Sequence, residues 1–190
     1  MNKILWIDLE TTGLDPDKHG VIQISALYEE DNEIKDRINL KSGVFEKDRI
    51  DERAMEINGI KPMDLIKYPE PKIAMADFLL FLEKYVDKGD YKDKIYLAGY
   101  NTSFDISFLK NWFQKNSNYD FNKYFHRKFI DVMQVAIFFN YNKVIQTKNN
   151  KLKTMCDYFG IELAPHDAMN DILATHSLSK KFKGLIKKGE

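Results

Sequence analysis

Two carboxylates follow a short apolar run near the start of the chain. Residues 4–7 are Ile, Leu, Trp and Ile, and Asp8 and Glu10 come directly after them. Side chains two residues apart in a strand point to the same face, so these two acids project together. Two neighbouring anions on an apolar strand are costly unless a cation lies between them. The pattern predicts half of a divalent-metal site, which acids from farther along the chain would complete.

Two later acids are candidates for the other half of this site. Asp105 falls in the first turn of a predicted aromatic-rich helix, and Asp171 falls inside the last predicted helix. His166 immediately precedes Asp167, the residue predicted to cap that last helix. Each has a simpler explanation when it is taken alone. An anion near a helix N-terminus is favoured by the helix dipole, an acid inside a helix usually faces solvent, and a histidine beside a proline usually lies in a loop. Only the ordered combination with Asp8 points to chemistry.

In that order the segments resemble the DEDDh branch of the DnaQ-like exonuclease superfamily. The matching motifs are DLETTGL at residues 8–14, NTSFDISF at residues 101–108 and HDAMND at residues 166–171. Softer matches lie at residues 54–60 and 131–136, so the resemblance extends from residue 3 to about residue 180. Residues 6–10 and 124–126 look more like the oligoribonuclease members of the superfamily. Residues 58–60 and 101–108 look more like proofreading exonucleases of the epsilon-subunit type.

The resemblance implies a metal-dependent 3′–5′ exonuclease that acts on single-stranded DNA or RNA and releases nucleoside 5′-monophosphates. It implies two divalent cations, Mg²⁺ or Mn²⁺, as cofactors, because paired hard cations with oxygen ligands serve this hydrolysis. Asp8 would bridge both cations. Glu10 and Asp171 would hold the cation that carries the attacking water, and Asp105 would support the other. His166 would act as the general base, since a neutral imidazole can take a proton near physiological pH.

The resemblance also implies where the terminal nucleotide would lie. Its 3′ end would sit against the turn after the first strand, with a second wall formed after a middle strand. The predicted substrate-binding residues are Thr11, Thr12, Gly13, Leu14, Tyr100, Asn101 and Phe104. Packing in the core is an equal alternative for Leu14 and Phe104. Lysines at residues 148–153 and at the C-terminus are candidates to follow a phosphate backbone, although a solvated helix end explains the terminal lysines as well.

Hydrophobic periodicity predicts the elements that must position these residues. Strands are expected at residues 3–14, 21–29 and 33–40 as an antiparallel meander, and further strands at 95–100 and 128–131. Helices are expected near residues 51–58 and at 73–86, 102–113, 132–139, 151–159 and 168–185. A strand feeding into a helix is the unit of an α/β protein. We expect an α/β protein of ribonuclease H-like fold, with a mixed five-stranded sheet flanked by helices, forming a single exonuclease domain over residues 1–190.

Composition limits the partners and the compartment. The chain has 190 residues, with 29 basic and 29 acidic side chains, so no overall field attracts nucleic acid. A single cysteine excludes an internal disulfide framework, and no apolar run approaches the length of a membrane span. We therefore expect a cytoplasmic protein that binds the 3′ ends of single-stranded nucleic acid without a membrane. A DNA polymerase is a further candidate partner.

Other functions remain open at this point. Within the nuclease class, the alternative is degradation of short RNA oligonucleotides in the manner of an oligoribonuclease. Outside it, the chain could be a non-catalytic binding subunit associated with a polymerase, and an endonuclease of the ribonuclease H type is a weaker candidate. A calcium loop is excluded by spacing, because its twelfth position would be His19 counted from Asp8 and Ala26 counted from Asp15.

Overall fold

The computed structural model describes residues 3–163 and 168–187, and five strands in this part of the chain form one mixed sheet. The strands are β1 (Lys3–Thr11), β2 (Val21–Glu30), β3 (Glu33–Lys41), β4 (Tyr96–Gly99) and β5 (Ile130–Asp131). Their order is β3-β2-β1-β4-β5. The first three pair antiparallel, whereas β4 runs parallel to β1 and β5 parallel to β4. The predicted α/β architecture, a meander extended by parallel strands, is confirmed.

Helices connect and cover these strands. They are α1 (Glu52–Asn58), α2 (Pro71–Glu83), α3 (Thr102–Lys115), α4 (Phe121–Tyr124), α5 (Val132–Tyr141), α6 (Leu152–Phe159) and α7 (Ala168–Lys187). A short 3-10 helix at Pro62–Lys67 precedes α2. The 3-10 helix and α4 were not predicted, because segments this short carry too few residues to show a helical period.

The alternation of side chains along β1 divides the core into two layers. Leu5, Ile7 and Leu9 pack with α2 and α3 on one face of the sheet. Trp6 packs on the opposite face, in a second core cluster to which α5, α6 and α7 contribute. Because side chains two apart share a face, Asp8 belongs to the same side of β1 as Trp6. The sequence pattern therefore places the acids of β1 on the sheet face that α7 covers.

The ends of several elements differ from the prediction for local reasons. β1 ends at Thr11 rather than at residue 14, since its register with β2 shifts between Glu10 and Thr11. Helix α2 begins at Pro71, a residue suited to the first position of a helix because it lacks an N–H. Gly160 ends α6 as predicted, with φ 64° in the left-handed region. Within residues 3–163 and 168–187, no helix is both long and apolar enough to cross a membrane.

Candidate active site

Asp8 lies at the centre of the candidate site, near the end of β1. Burial raises the pKa of this carboxyl well above its usual range, and the charges of Asp105, Glu10 and Asp171 raise it further, in that order. These electrostatic contributions show that strand β1, helix α3 and helix α7 bring the four predicted metal-binding acids into one neighbourhood. An ionised carboxylate there meets both desolvation and like-charge repulsion, which a cation would relieve.

Asp105 is fixed to β1 by a hydrogen bond that its side-chain oxygen accepts. It stands in the first turn of α3 and is only 3% exposed. Its Oδ1 accepts a hydrogen bond from the backbone N–H of Leu9, at 3.0 Å. Burial raises the pKa of Asp105, its backbone hydrogen bonds oppose the rise, and Glu10 and Asp131 add to it. Since Leu9 lies between Asp8 and Glu10, this bond holds α3 against the acids of β1.

The start of α3 is held in turn by β5. Asn101 adopts a left-handed backbone with φ 63°, and its N–H donates to Asp131 Oδ1 at 3.0 Å. The same Asp131 oxygen caps α5 by accepting from the N–H of Met133 at 3.0 Å. The hydroxyl of Thr102 donates to the carbonyl of Ile130 at 2.9 Å. These bonds fix the N-terminus of α3, and with it Asp105, relative to the sheet.

The two threonines of the turn after β1 use their hydroxyls inside the protein. Thr11 Oγ1 donates to the carbonyl of Gly13 at 2.7 Å. Thr12 Oγ1 donates to the carbonyl of Arg49 at 2.6 Å and accepts from the N–H of Gly20 at 2.8 Å. Both threonines are buried. Their side chains hold the turn in shape, so any contact with a nucleotide would come from the exposed part of the turn.

Leu14 supplies that exposed part. It is 79% exposed, so packing in the core is excluded as its role. The neighbouring Gly13 has no room for a side chain, because a Cβ there would lie 2.3 Å from the His19 ring. Asn58, in α1, donates from Nδ2 to the carbonyl of Thr11 at 2.9 Å and closes the turn from the other side. The turn is thus a braced loop that presents one apolar side chain to solvent.

The three remaining predicted substrate-binding residues lie around the N-terminus of α3. The hydroxyl of Tyr100 donates to the carbonyl of Asn150 at 2.6 Å, and burial raises its pKa. Phe104 packs partly against the core, with its ring centroid 4.9 Å from that of Phe108. Asn101 is exposed. The structure therefore places an exposed amide and a partly exposed ring next to Asp105. His166 and Asp167 lie outside the described residues.

A buried polar network near the site was not predicted. Glu29 Oε2 accepts a hydrogen bond from Trp6 Nε1 at 3.0 Å and another from His176 Nε2 at 2.8 Å. All three residues are less than 7% exposed. An ionised carboxylate only accepts, so the imidazole carries its proton on Nε2. Trp6 is two residues before Asp8, and His176 lies five residues after Asp171 on α7, so the network joins the two elements that carry these acids. The one sequence feature that could have indicated this network is Glu29, an acid at the end of an apolar strand.

The four acids suit a hard divalent cation by their chemistry. All their donors are carboxylate oxygens, which Mg²⁺ and Mn²⁺ prefer. Within residues 3–163 and 168–187, however, no group of three or more His, Cys, Asp or Glu side chains is placed so that it could hold one metal ion. The residue types and the mutual repulsion at Asp8 therefore fit a metal site, while the side chains would have to turn towards a cation as it binds.

Comparison with solved structures identifies the fold. Escherichia coli exonuclease I in complex with a dT13 oligonucleotide matches with a TM-score of 0.81 and 21% identity, over 99% of this chain and 42% of that one. A zinc-bound form of an E. coli exonuclease I complex with single-stranded DNA matches with a TM-score of 0.80 and 22% identity, over 97% of this chain and 41% of that one. The predicted ribonuclease H-like fold is confirmed.

Sequence comparison identifies the family. The model of the exonuclease family matches residues 5–178. The PolC-type DNA polymerase III of Thermotoga petrophila is 26% identical over 183 residues, which cover 96% of this chain but 12% of that protein. The corresponding Bacillus cereus protein is 31% identical over 96% of this chain and 11% of its own length. The oligoribonuclease of Buchnera aphidicola is 29% identical over 78% of this chain and 80% of its own length. This chain belongs to the exonuclease family, and the predicted resemblance to DnaQ-like exonucleases with oligoribonuclease-like features is confirmed.

The repulsion at Asp8 predicts a stability effect that is independent of turnover. In EDTA, Asp8→Asn should raise the melting temperature by about 2–4 °C, the shift expected for about 1 kcal/mol in a domain of this size. Mg²⁺ should raise the melting temperature of the wild type and leave that of Asp8→Asn unchanged. Asp64→Asn, which alters an exposed acid paired with Lys67, should behave as the wild type. A full Mg²⁺ response in Asp8→Asn would contradict the assignment.

The buried imidazole predicts a pH dependence of stability. Burial and the nearby Lys180 lower the pKa of His176, and Glu29 opposes the shift. Since the unfolded imidazole titrates near pH 6.5, its contribution is present above that pH and is lost as the pH falls towards the lower folded pKa. His176→Leu and His176→Gln should both flatten the fall in melting temperature between pH 7.5 and 5.5, measured by circular dichroism.

The two variants should differ at pH 7.5. Leucine leaves the Glu29 carboxylate short of a donor, which should cost about 2 kcal/mol, or about 4–8 °C in melting temperature. Glutamine still offers an N–H and should lose much less. Equal losses for both variants would show that the hydrogen bond to Glu29 is not what His176 contributes.

Proposed function

We propose that this chain is a metal-dependent 3′–5′ exonuclease domain that removes nucleoside 5′-monophosphates from the 3′ end of single-stranded DNA or RNA. The observation that carries the proposal is the convergence of β1, α3 and α7, which bring Glu10, Asp105 and Asp171 close enough to Asp8 for their charges to raise its pKa. Membership of the exonuclease family supports a role for these acids in the hydrolysis of phosphodiester bonds. Support for a single-stranded substrate comes from the E. coli exonuclease I complexes with oligonucleotides.

The positions of the four acids suggest which role each would have in binding cations. Asp8 receives the charge of all three other acids, so it would hold bound divalent cations together with them. Glu10 and Asp171 would hold the cation on the side of the attacking water, and Asp105, fixed by the N–H of Leu9, would hold the other. Bound Mg²⁺ or Mn²⁺ lowers the pKa of an attacking water and stabilises charge on the phosphate and on the leaving 3′ oxygen. His166 would accept the proton of that water.

The surface beside the acids suits a terminal nucleotide. Leu14 is 79% exposed on its braced turn, and Asn101 is exposed at the start of α3. Phe104, between Asn101 and Asp105, offers a partly exposed aromatic ring. Apolar and aromatic side chains stack on any base, so this surface would accept a 3′ end without reading its sequence. Such tolerance is what an exonuclease that degrades a strand stepwise requires.

The substrate length separates two versions of this function. The Buchnera oligoribonuclease matches over 80% of its own length, which favours short RNA oligonucleotides. The PolC-type relatives match over only 12% and 11% of theirs, which favours an exonuclease unit that works with a DNA polymerase. The separating experiment compares the hydrolysis of end-labelled dinucleotides with that of long DNA and RNA strands.

The activity itself is tested with the same labelled strands. The wild type with Mg²⁺ or Mn²⁺ should shorten them from the 3′ end, EDTA should stop the reaction, and Asp105→Asn should abolish it. His166→Ala should lose about 10²–10⁴-fold in rate, the usual contribution of a general base, while keeping the Mg²⁺-induced rise in melting temperature. Asp64→Asn, an acid outside the site, is the control and should keep the wild-type rate.

An active, purified Asp105→Asn protein would contradict the assignment of the acids. A folded wild type that binds strands and hydrolyses none of them in Mn²⁺ would instead support a non-catalytic binding subunit. Cleavage of a circular single strand, which has no 3′ end, would indicate an endonuclease.

A further inference from the structure

A cavity of about 690 Å³ lies between α3, α4 and the segment that precedes β5. Three basic side chains line it: Lys94, Lys110 and Arg127. No aspartate or glutamate of the described residues belongs to its lining, and the other polar groups there are amides, a tyrosine hydroxyl and the imidazole of His126. The chain as a whole has equal numbers of acidic and basic residues. This local excess of positive charge is therefore a candidate binding site for an anionic ligand.

The positive charge of this cavity has no acidic partner among the described residues. None of the ion pairs formed by the described residues includes Lys94, Lys110 or Arg127. Lys110 instead lies 5.4 Å from the centroid of the Phe121 ring, and Lys94 donates to the carbonyl of Asn122 at 2.6 Å. Burial lowers the pKa of His126, the charge of Lys94 lowers it further, and a hydrogen bond with the backbone of Lys94 opposes the shift. The cavity therefore keeps a positive potential that attracts anions.

A second cavity of similar size provides a contrast. It measures about 670 Å³ and is lined by Lys3, Lys84 and Lys88 together with acids. Each of these lysines forms an ion pair, with Asp93, Asp36 and Glu83 respectively. Mixed and paired charges of this kind are ordinary for a protein surface. The absence of paired acids distinguishes the cavity beside α3.

Exposed aromatic rings accompany the basic side chains. Tyr119 is 78% exposed and Phe129 is 43% exposed, and both line the cavity. His126 stacks on Tyr96, with ring centroids 3.9 Å apart. Exposed rings beside unpaired cations match the two chemical features of a nucleic acid single strand, its bases and its phosphates. An acidic peptide would use the cations but would leave the rings without a planar partner.

One side of the cavity is a stripe of α3 that begins next to Asp105 in the sequence. Ile106, Lys110 and Gln114 line it at four-residue intervals, so they form one stripe on the helix. Ile106 directly follows Asp105, and the stripe extends about 12 Å from there at 1.5 Å per residue. At the other border, Phe129 is two residues before Asp131, which binds the N–H of Asn101. A strand whose 3′ end lies at Asp105 would reach the cavity if it followed α3 from its first turn.

We propose that this cavity binds the 5′ portion of the same single strand whose 3′ end is held among the acids. Phosphates would contact Lys110, Arg127 and Lys94, and bases would stack on Tyr119 and Phe129. The inference rests on the proposed exonuclease function and adds to it a preference for strands long enough to reach the cavity. Dinucleotides would use the acids alone.

The test changes charge in the cavity and at matched positions elsewhere. Lys110→Glu/Arg127→Glu is compared with Lys47→Glu/Lys72→Glu, a pair of exposed lysines outside the cavity with the same change in net charge. Steady-state hydrolysis is measured on a dinucleotide and on a strand of about 20 nucleotides. The cavity variant should raise KM for the long strand at least tenfold, leave its kcat unchanged, and hydrolyse the dinucleotide as the wild type does. The control variant should match the wild type on both substrates.

Binding of a fluorescent long strand in EDTA, followed by anisotropy, tests the cavity separately from catalysis. The slope of log affinity against log salt should fall by about 1.4 in the cavity variant, since each phosphate contact on a single strand contributes about 0.7. Tyr119→Leu, a second variant without a charge change, should weaken long-strand binding at least about fivefold.

Two results would overturn the proposal. One is an equal affinity and salt slope for the wild type and the cavity variant, which would assign these cations to another partner such as an acidic protein segment. The other is an equal loss on dinucleotide and long strand in a variant with an unchanged melting temperature. If the wild type hydrolyses nothing, the proposed activity fails, and the anisotropy measurement still decides whether the cavity binds a strand.

Discussion

Repulsion among carboxylates in a poorly solvated place is the constraint around which this protein is built. Asp8 is destabilised as an anion by burial and by three other acids, and the fold stabilises their approach by hydrogen bonds elsewhere. The N–H of Leu9 holds Asp105, and Asp131 holds the start of α3 through Asn101. A domain does not bring four acids together for stability, because each raised pKa lowers the stability of the fold near neutral pH. The arrangement is explained if divalent cations and a phosphate complete it.

The acids are positioned by the central strand β1 and by helices α3 and α7, which pack on its two faces. β1 pairs with β2 and β4 at the centre of the sheet. Its alternation sends Leu9 and its apolar neighbours into the layer of α2 and α3, and Trp6 towards α7. Glu29 on β2 forms hydrogen bonds with Trp6 on β1 and with His176 on α7. These bonds connect α7, the helix that carries Asp171, to the sheet.

Periodic patterns in the sequence predicted most of the fold, whereas the candidate acids were chosen from ordered motifs that resemble a known family. The two-residue spacing of Asp8 and Glu10 and the helical spacing around Asp105 are local features, and local features are what periodicity reports. The bond between Glu29 and His176 joins residues 147 positions apart, so no window along the sequence could reveal it. The buried hydroxyl of Thr12 depends on Arg49 and Gly20, which the fold brings together from two other segments. The exposure of Leu14 likewise follows from the shape of the turn rather than from residue type.

In the proposed account, the acids and their cations would act at the 3′ end of a strand, and the lysine, arginine and aromatic side chains of the cavity beside α3 would hold the rest of it. The claim beneath both is that the four acids hold divalent cations. Crystals grown with Mn²⁺ and a nucleoside 5′-monophosphate, measured at the manganese absorption edge, test that claim directly. We predict anomalous peaks for two ions whose shared ligand is Asp8, with Glu10, Asp105 and Asp171 turned towards them. Manganese bound elsewhere, with these four side chains unmoved, would contradict the account.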